Sequence, residues 1–370
     1  MKLSRCKYYY TIFMFISFIT GWFVCNIQNY FQKVIPDQGR QMVAAVPAII
    51  INNTITSPLE QKAPSIPPPL FFVHGKQCDL IQIESIAAQE PTKNSYCPNT
   101  KKWMSSLLSS AYNNPSATLI SVGCNRGDDL LLQIREWSRN SSYSLQSMIH
   151  EENKWFFSHR SCPLDSDMEI DEHFIRPVNG FCIEPMHSTF DFVDKIIKEL
   201  GWDAMVHVIH AAVSSTPGTV QFPIDHRPGV EHLGIGSTAE ETEFINVITI
   251  DELVEKNAIE TIDVLSIDTE GNDMRVIFGA VKSLSKVRYL EFEYHHVNRW
   301  ARSDLQDLVD LLDQFGFDCF WPGNTGQLWR LTGCWHDSYY TKKSWSNVAC
   351  ANRKEEKLLQ TMEALAELNM

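Results

Sequence analysis

The spacing of apolar residues changes repeatedly between a strand-like and a helix-like period after about residue 100. Short apolar runs predict five strands, at 117–123, 180–185, 205–213, 262–268 and 287–294. Helical stripes lie between them; in the clearest one, Phe190, Val193 and Ile197 share a helix face and Gly201 ends the helix. Alternating strands and helices predict an α/β fold with a doubly wound, mostly parallel sheet.

The C-terminal third predicts a different ending for this sheet. The segments "FDCFW" and "QLWRLT", joined by the turn-rich "PGNTG", predict an antiparallel hairpin. The helix before them opens with Ser303 and Gln306 in a capping-box pattern. Residues 351–370 predict a surface helix.

Two polar features follow the first two predicted strands. In "SVGCNRGD", Gly123 and Gly127 flank a tight turn into a helix, whose N-terminal N–H groups favour an anionic ligand group. The pattern is neither G-x-G-x-x-G nor a P-loop, so it favours a carboxylate over a polyphosphate. Glu184 ends the second strand, where a carboxylate can accept both hydroxyls of a ribose.

The stretch "VLSIDTEGNDM", residues 264–274, places three acids in one turn. Asp268 ends the fourth strand, and Glu270 points the same way if the chain stays extended for two more residues. Both are then expected in the crevice at the carboxyl ends of the strands, although Glu270 has the alternative of holding its own turn. Asn272 or Asp273 is expected to cap the next helix.

These elements, in this order, resemble the FkbM family of S-adenosylmethionine-dependent methyltransferases over about residues 117–295. The resemblance rests on "SVGCNRGD", "CIEP", "AAVSSTPGTVQF", "VITIDEL" and above all "IDVLSIDTEGNDMRVIFGA". It implies a seven-stranded Rossmann-like methyltransferase sheet that ends in the antiparallel hairpin. It also implies S-adenosylmethionine as cofactor, with its methionine end near Gly123, Asn125 and Gly127, its ribose on Glu184, and its adenine near Ala211 and Ala212.

The chain departs from the family pattern at two positions. Ser121 stands where many members carry an aspartate, and Ser266 stands where many carry the lysine of a "KID" stretch. The first change affects one cofactor hydrogen bond, and the second removes a charge partner from the acidic turn.

Methyl transfer to oxygen requires alignment of the acceptor and removal of its proton. Asp268 is the first candidate for the base, with His295 and Glu270 as further catalytic candidates. A divalent metal ion held by Asp268 with Glu293 or His295 is the competing account. The residues favour the base without a metal.

The N-terminus predicts attachment to a membrane. Lys2, Arg5 and Lys7 precede twenty uncharged residues, 8–27, which is the length of a transmembrane helix. The positive charges favour a cytosolic tail, 1–7, and a signal anchor with the rest of the chain in the secretory lumen. The alternative is a cleaved signal peptide.

A proline-rich stem, 28–100, is expected before a domain at 101–350, with an insertion at 138–178.

Composition agrees with this location and narrows the partners. A net charge of −13 argues against nucleic acid. Eight cysteines follow the anchor, and a lumen permits disulfides, whereas the lack of any C-x-x-C pair argues against structural zinc. Sequons at Asn52 and Asn140 fit a lumenal glycoprotein. Tryptophans are dense in the C-terminal third and suit sugar rings, although packing in the core or the hairpin is the better explanation for most of them.

The predicted function is therefore O-methylation of a hydroxyl on a glycan or other small acceptor, in the Golgi or endoplasmic reticulum. One alternative is a type II membrane glycosyltransferase, for which Asp165-Ser166-Asp167 provides a D-x-D motif. Another is a methyltransferase-like domain that binds its ligand without catalysis.

Overall fold

The structure is a computed structural model that describes residues 76–89, 99–110, 114–138, 177–230, 233–296, 298–341 and 345–367. The predicted anchor, 8–27, nearly all of the predicted insertion and the D-x-D motif lie outside these residues. Within the described part of the chain, no helix combines the length and the apolar character needed to span a bilayer.

Eleven strands are present in the described residues. They are β1 Ala117–Val122, β2 Val178–Glu184, β3 Val206–His210, β4 Ala212–Val213, β5 Gly218–Pro223, β6 Thr242–Ile248, β7 Ile262–Ile267, β8 Val287–Tyr294, β9 Phe317–Pro322, β10 Leu328–Arg330 and β11 Ser346–Asn352.

Eight α-helices connect or cover these strands in the same part of the chain. They are α1 Leu80–Ala88, α2 Lys101–Ser110, α3 Asp128–Ser138, α4 His187–Leu200, α5 Ile250–Lys256, α6 Asp273–Phe278, α7 Leu305–Gln314 and α8 Glu356–Glu367.

The main sheet has the order β10-β9-β11-β8-β7-β1-β2-β3. Strands β3, β2, β1, β7 and β8 are parallel, whereas β11 runs antiparallel between β8 and β9. The described sheet thus has eight strands, so the expected number of seven is wrong. The hairpin of β9 and β10 is confirmed, and a separate small sheet has the order β4-β6-β5.

Apolar side chains cover both faces of the main sheet. Ile120 and Val122 of β1 join the core built with α5, α6 and α7, while Leu119 joins the core built with α2, α3, α4 and α8. Alternate side chains of β1 therefore pack into two cores, one on each face of the sheet, which confirms the doubly wound α/β arrangement.

Local sequence signals explain several helix ends. Thr249 and Glu252 form a capping box at the start of α5, and Gly201 ends α4 in the left-handed conformation with φ 69°. The capping box expected at Ser303 is wrong: α7 begins at Leu305 after Asp304, and the Ser303 hydroxyl donates to the carbonyl of Arg299 instead.

Folded structure is present N-terminal to residue 100, inside the segment predicted as a stem. Helix α1 buries Ile86, and a disulfide joins Cys78 to Cys334 with the Cα atoms 5.0 Å apart. At the other end, α8 buries Leu358 and Met362 and contacts α2, so only one of its faces is at the surface. The domain boundaries themselves stay predictions.

Candidate functional site

A cavity of about 580 Å³ opens at the carboxyl ends of β1, β2, β7 and β8. This volume is within the range of small-molecule and cofactor sites. Of the residues predicted for the site, eight line this cavity: Gly123, Asn125, Glu184, Ala211, Ala212, Asp268, Glu270 and Glu293. Two others do not, since His295 is fully buried behind the wall and Gly127 lies in the turn below it.

The turn after β1 brings the backbone close to the acidic turn after β7. Gly123 has φ 73°, and a Cβ at this position would lie 1.7 Å from the carbonyl oxygen of Asp268. Glycine is therefore required here by both conformation and space. Asn125 also has a left-handed backbone, with φ 48°, and its buried side-chain Oδ1 accepts no hydrogen bond within the described structure. Gly127 instead lets the turn pack against Val193 of α4.

Glu184 is held by the backbone on both sides. Its Oε2 accepts a hydrogen bond from the amide of Asn125 at 3.0 Å, and its Oε1 accepts one from the amide of Met186 at 2.8 Å. Burial raises the pKa of Glu184 to about 7, against the lowering effect of these two hydrogen bonds. Each oxygen keeps a second lone pair, so the carboxylate can also accept the two hydroxyls of a ribose.

The part of the cavity beside Glu184 is apolar. Ala211 and Ala212 form its floor, and Phe222 of β5 with Leu233 and Ile235 of the following loop completes the wall. Small side chains below and larger aliphatic and aromatic ones around them fit a flat heterocycle such as adenine. The cavity therefore has an apolar pocket, a ribose-compatible carboxylate and a polar glycine turn in sequence.

The acidic turn differs from its sequence-based description. Glu270 has φ 54°, so the chain does not continue extended as expected, yet its side chain still reaches the cavity. Asp273 is the first residue of α6 rather than a cap, and its carboxylate accepts hydrogen bonds from the amide of Gly271 and from Nε1 of Trp300. Asn272 occupies the cap position without a side-chain capping bond.

Asp268 faces a second carboxyl group across the cavity end, that of Glu293 on β8. Burial, followed by repulsion from neighbouring carboxylates that include Glu270 and Asp273, raises the pKa of both groups, and a hydrogen bond with Glu293 lowers that of Asp268. Asp268 is exposed to the cavity, whereas the Glu293 side chain is only 12% exposed. Asp268 is therefore the carboxyl group of the pair that an acceptor in the cavity can reach.

Ser266 and Glu291 lie in the sheet beneath this pair. The Ser266 hydroxyl donates to Glu291 Oε1 at 3.1 Å, and the hydroxyl of Tyr289 donates to Oε2 of the same residue. Burial raises the pKa of Glu291 to about 6. Two neutral hydroxyl groups therefore donate to the carboxyl group of Glu291. One of them belongs to Ser266, the residue that stands where many family members carry a lysine.

His295 lies behind Glu293 and stacks on Trp345, with ring centroids 4.5 Å apart. Burial lowers its pKa to about 4, so the imidazole is neutral at physiological pH. One potential ligand atom each from Glu270, Glu293 and His295 lies within 4.8 Å of the other two. This placement removes His295 from direct contact with the cavity and puts it beside the two carboxylates.

Sequence reasoning missed strand β11 and what it brings to the site. Because β11 is antiparallel, its first residues lie beside the carboxyl end of β8, with Asn347 opposite Glu293. Trp345 and Asn347 line the cavity there, and Trp345 Nε1 donates to Glu293 Oε1. In the sequence, Trp345 is one of several tryptophans of the C-terminal third, and the small and polar residues of "SNVACAN" do not predict a strand.

Comparison with known proteins gives one clear match. A family model described as "Methyltransferase FkbM domain" matches residues 77–319. No curated protein sequence is significantly similar to the chain.

Solved structures give weaker similarities. The N-terminal domain of human METTL16 is 9% identical with a TM-score of 0.32, and covers 69% of this chain and 68% of that one. A second METTL16 methyltransferase-domain structure is 7% identical with a TM-score of 0.33, covering 69% and 66%. The human methyltransferase 10 domain containing protein is 6% identical with a TM-score of 0.29, covering 69% and 83%. The aligned part spans about two thirds of the two METTL16 structures.

These TM-scores are too low to carry a functional argument. The family match, in contrast, covers more than half of the chain and includes the glycine turn, Glu184, the acidic turn and Glu293. The resemblance predicted from the sequence is thereby confirmed, and the chain belongs to the FkbM family of methyltransferases, which implies S-adenosylmethionine as its cofactor.

Proposed function

We propose that this chain is an O-methyltransferase of the secretory lumen that acts on a hydroxyl of a glycan or other small acceptor. The observation that carries the proposal is the arrangement at the cavity: Glu184 beside the glycine turn at one end, and the Asp268–Glu293 pair at the other. The first part suits an adenosine ligand, and the second provides a base next to it.

The cavity residues fit S-adenosylmethionine. Glu184 would hold the ribose hydroxyls, and Oδ1 of Asn125 would accept a hydrogen bond from the ammonium group of the methionine end. The pocket of Ala211 and Ala212 would hold the adenine. When bound, the cofactor supplies a methyl group from its sulfonium. Asp268 would take the acceptor's proton, and Trp345 with Asn347 would position the acceptor.

Two features support a location in the oxidising secretory lumen, and a third supports a sugar hydroxyl as the acceptor. Disulfides join Cys78 to Cys334, Cys124 to Cys182 and Cys319 to Cys350, and such bonds are rare in the cytosol. The predicted anchor at 8–27 and the excess of acidic residues agree with a lumenal enzyme that does not bind nucleic acid. An aromatic ring and an amide at the acceptor end suit a sugar.

Titration of S-adenosylhomocysteine into the purified full-length chain tests the cofactor part. We expect saturable binding that Glu184→Gln weakens at least about tenfold, because an amide accepts fewer hydrogen bonds than a carboxylate. Glu255→Gln, an exposed change on α5, should leave the affinity unaltered. Absence of binding to the unmodified chain would refute the proposal.

Transfer of a labelled methyl group to panels of glycans, small alcohols, peptides and RNA tests the acceptor part. Labelled methyl ethers on a glycan or alcohol support the proposal, whereas labelled nitrogen atoms or RNA refute the acceptor class. Cofactor binding without transfer to any panel would favour the alternative of a binding domain. The glycosyltransferase alternative requires tight binding of a nucleotide-sugar with metal and none of S-adenosylhomocysteine.

A further inference from the structure

The acceptor end of the cavity contains donor atoms of the kind that bind metals. We name Glu270, Glu293 and His295 the acid–histidine group; a ligand atom from each lies within 4.8 Å of the other two. Glu270 comes from the turn after β7, while Glu293 and His295 are two residues apart at the end of β8. Two separate elements therefore converge on one point.

The chemistry of the group is mixed rather than merely acidic. His295 is fully buried and its Nε2 lies 3.4 Å from Glu293 Oε2, an oxygen that accepts no hydrogen bond within the described residues. A nitrogen and an oxygen that face each other at this distance can both bind one cation.

The surrounding charges also favour a cation. Asp268 and Asp273 add negative charge next to the group, and within the described structure neither Asp268 nor Glu293 forms an ion pair with a lysine or arginine. Trp345 contacts two of the three residues: its ring stacks on His295, and its Nε1 donates a hydrogen bond to Glu293 Oε1. An aromatic residue and a hydrogen bond that orient the ligands are typical support for a metal site.

We propose that Glu270, Glu293 and His295 bind one divalent metal ion of the Mn²⁺ to Zn²⁺ series, which coordinates the acceptor hydroxyl beside Asp268. Two carboxylates and one imidazole suit this series, and three protein ligands leave positions open for the acceptor. This proposal rests on the proposed function and names how its acceptor is activated.

The proposed role of the metal ion is to help remove the proton of the acceptor hydroxyl. A sugar hydroxyl is far less acidic than a carboxyl, so a carboxylate alone is a weak base for it. A cation on the hydroxyl oxygen makes its proton more acidic. Asp268 then receives the proton while the oxygen forms its bond to the methyl carbon, the carbon–sulfur bond breaks and its electron pair stays on sulfur. No change of oxidation state is required.

A second group of possible ligands provides an internal control. His187, His210 and Glu243 also place ligand atoms within 4.8 Å of one another, but His187 is exposed and none of the three lines the cavity. The variant His187→Gln therefore removes a surface histidine from a comparable group without touching the proposed site.

The test is titration of the full-length chain, first stripped with a chelator, with Mn²⁺ followed by electron paramagnetic resonance, and with Zn²⁺ by competition. We expect one site that Glu293→Gln and His295→Gln each weaken at least about tenfold, while His187→Gln leaves it unchanged. Binding of neither ion up to about 1 mM, or binding that only His187→Gln weakens, would overturn the proposal.

Two further measurements keep the result interpretable. Thermal unfolding and S-adenosylhomocysteine binding show whether each variant is folded, and Glu270→Gln, on a less buried residue, replaces any variant that is not. Binding of S-adenosylhomocysteine to the stripped chain tests the proposed function separately, so metal binding and cofactor binding can fail independently.

Discussion

Binding of an adenosine ligand should strengthen as the pH rises, because Glu184 must ionise to accept both ribose hydroxyls. The carboxyl is buried, and its desolvation raises the pKa to about 7 in spite of hydrogen bonds from the amides of Asn125 and Met186. In the free protein, therefore, a large fraction of Glu184 is protonated just below neutral pH, and this fraction does not bind the ribose well.

The size of the effect follows from that pKa. With a value of about 7, roughly 9% of Glu184 is ionised at pH 6 and roughly 91% at pH 8. If only the ionised form binds, affinity rises about tenfold across this interval, or about 1.4 kcal/mol. The sign is fixed: affinity is lost as pH falls through 7 and reaches a plateau above about pH 8.

Isothermal titration with 5′-methylthioadenosine provides a suitable assay, since this ligand has the adenine and ribose but no titratable amino-acid end. Glu184→Gln should bind more weakly at pH 8 and lose the dependence on pH. A flat profile for the unmodified chain, or an equal slope in Glu184→Gln, would refute the assignment of Glu184 to the ribose.

Three other predictions test the turn, the base and the core. Gly123→Ala should weaken S-adenosylhomocysteine binding at least about tenfold, whereas Gly201→Ala, with a similar φ but open space around it, should only lower the melting temperature. Asp268→Asn should reduce turnover at least about 100-fold with S-adenosylhomocysteine affinity nearly unchanged; near-normal turnover would exclude Asp268 as the base. Asp263→Asn removes one of the two carboxylates that pair with buried Arg288, at 2.8 Å, and leaves Glu355 in place; it should cost about 2 kcal/mol of unfolding free energy in denaturant titrations, more than loss of an exposed ion pair.

The parallel core of the fold could be predicted from sequence because its signals are local. Strands such as β1 and β7 are continuous apolar runs, and Gly201 and Thr249 mark helix ends by known rules. Strand β11 has no such signal. Its alanines and serine are weak strand formers, and it becomes a strand only because β8 and β9 offer hydrogen bonds on both sides.

The candidate site likewise contains residues that the sequence predicts and contacts that it does not. Gly123, Glu184 and Asp268 could be found because each directly follows or ends a predicted strand. The pairing of Asp268 with Glu293, and the contact of Trp345 with both Glu293 and His295, join residues far apart in the chain. No local pattern reports such contacts, since they depend on which strands become neighbours.

The acidic end of the cavity also affects the relative affinity for S-adenosylmethionine and its demethylated product, S-adenosylhomocysteine. Many family members carry a lysine where this chain has Ser266, and here Ser266 offers Glu291 only a hydrogen bond. Arg126 lines the same cavity, but among the described residues neither Asp268 nor Glu293 forms an ion pair with an arginine or a lysine. The positive sulfonium of S-adenosylmethionine is attracted to this acidic end of the cavity, whereas the neutral sulfur of its demethylated product is not. We therefore expect the chain to bind S-adenosylmethionine more tightly than S-adenosylhomocysteine, which titration with the two ligands would measure. The substitution Ser266→Lys should reduce that preference, because it restores the missing charge inside the protein.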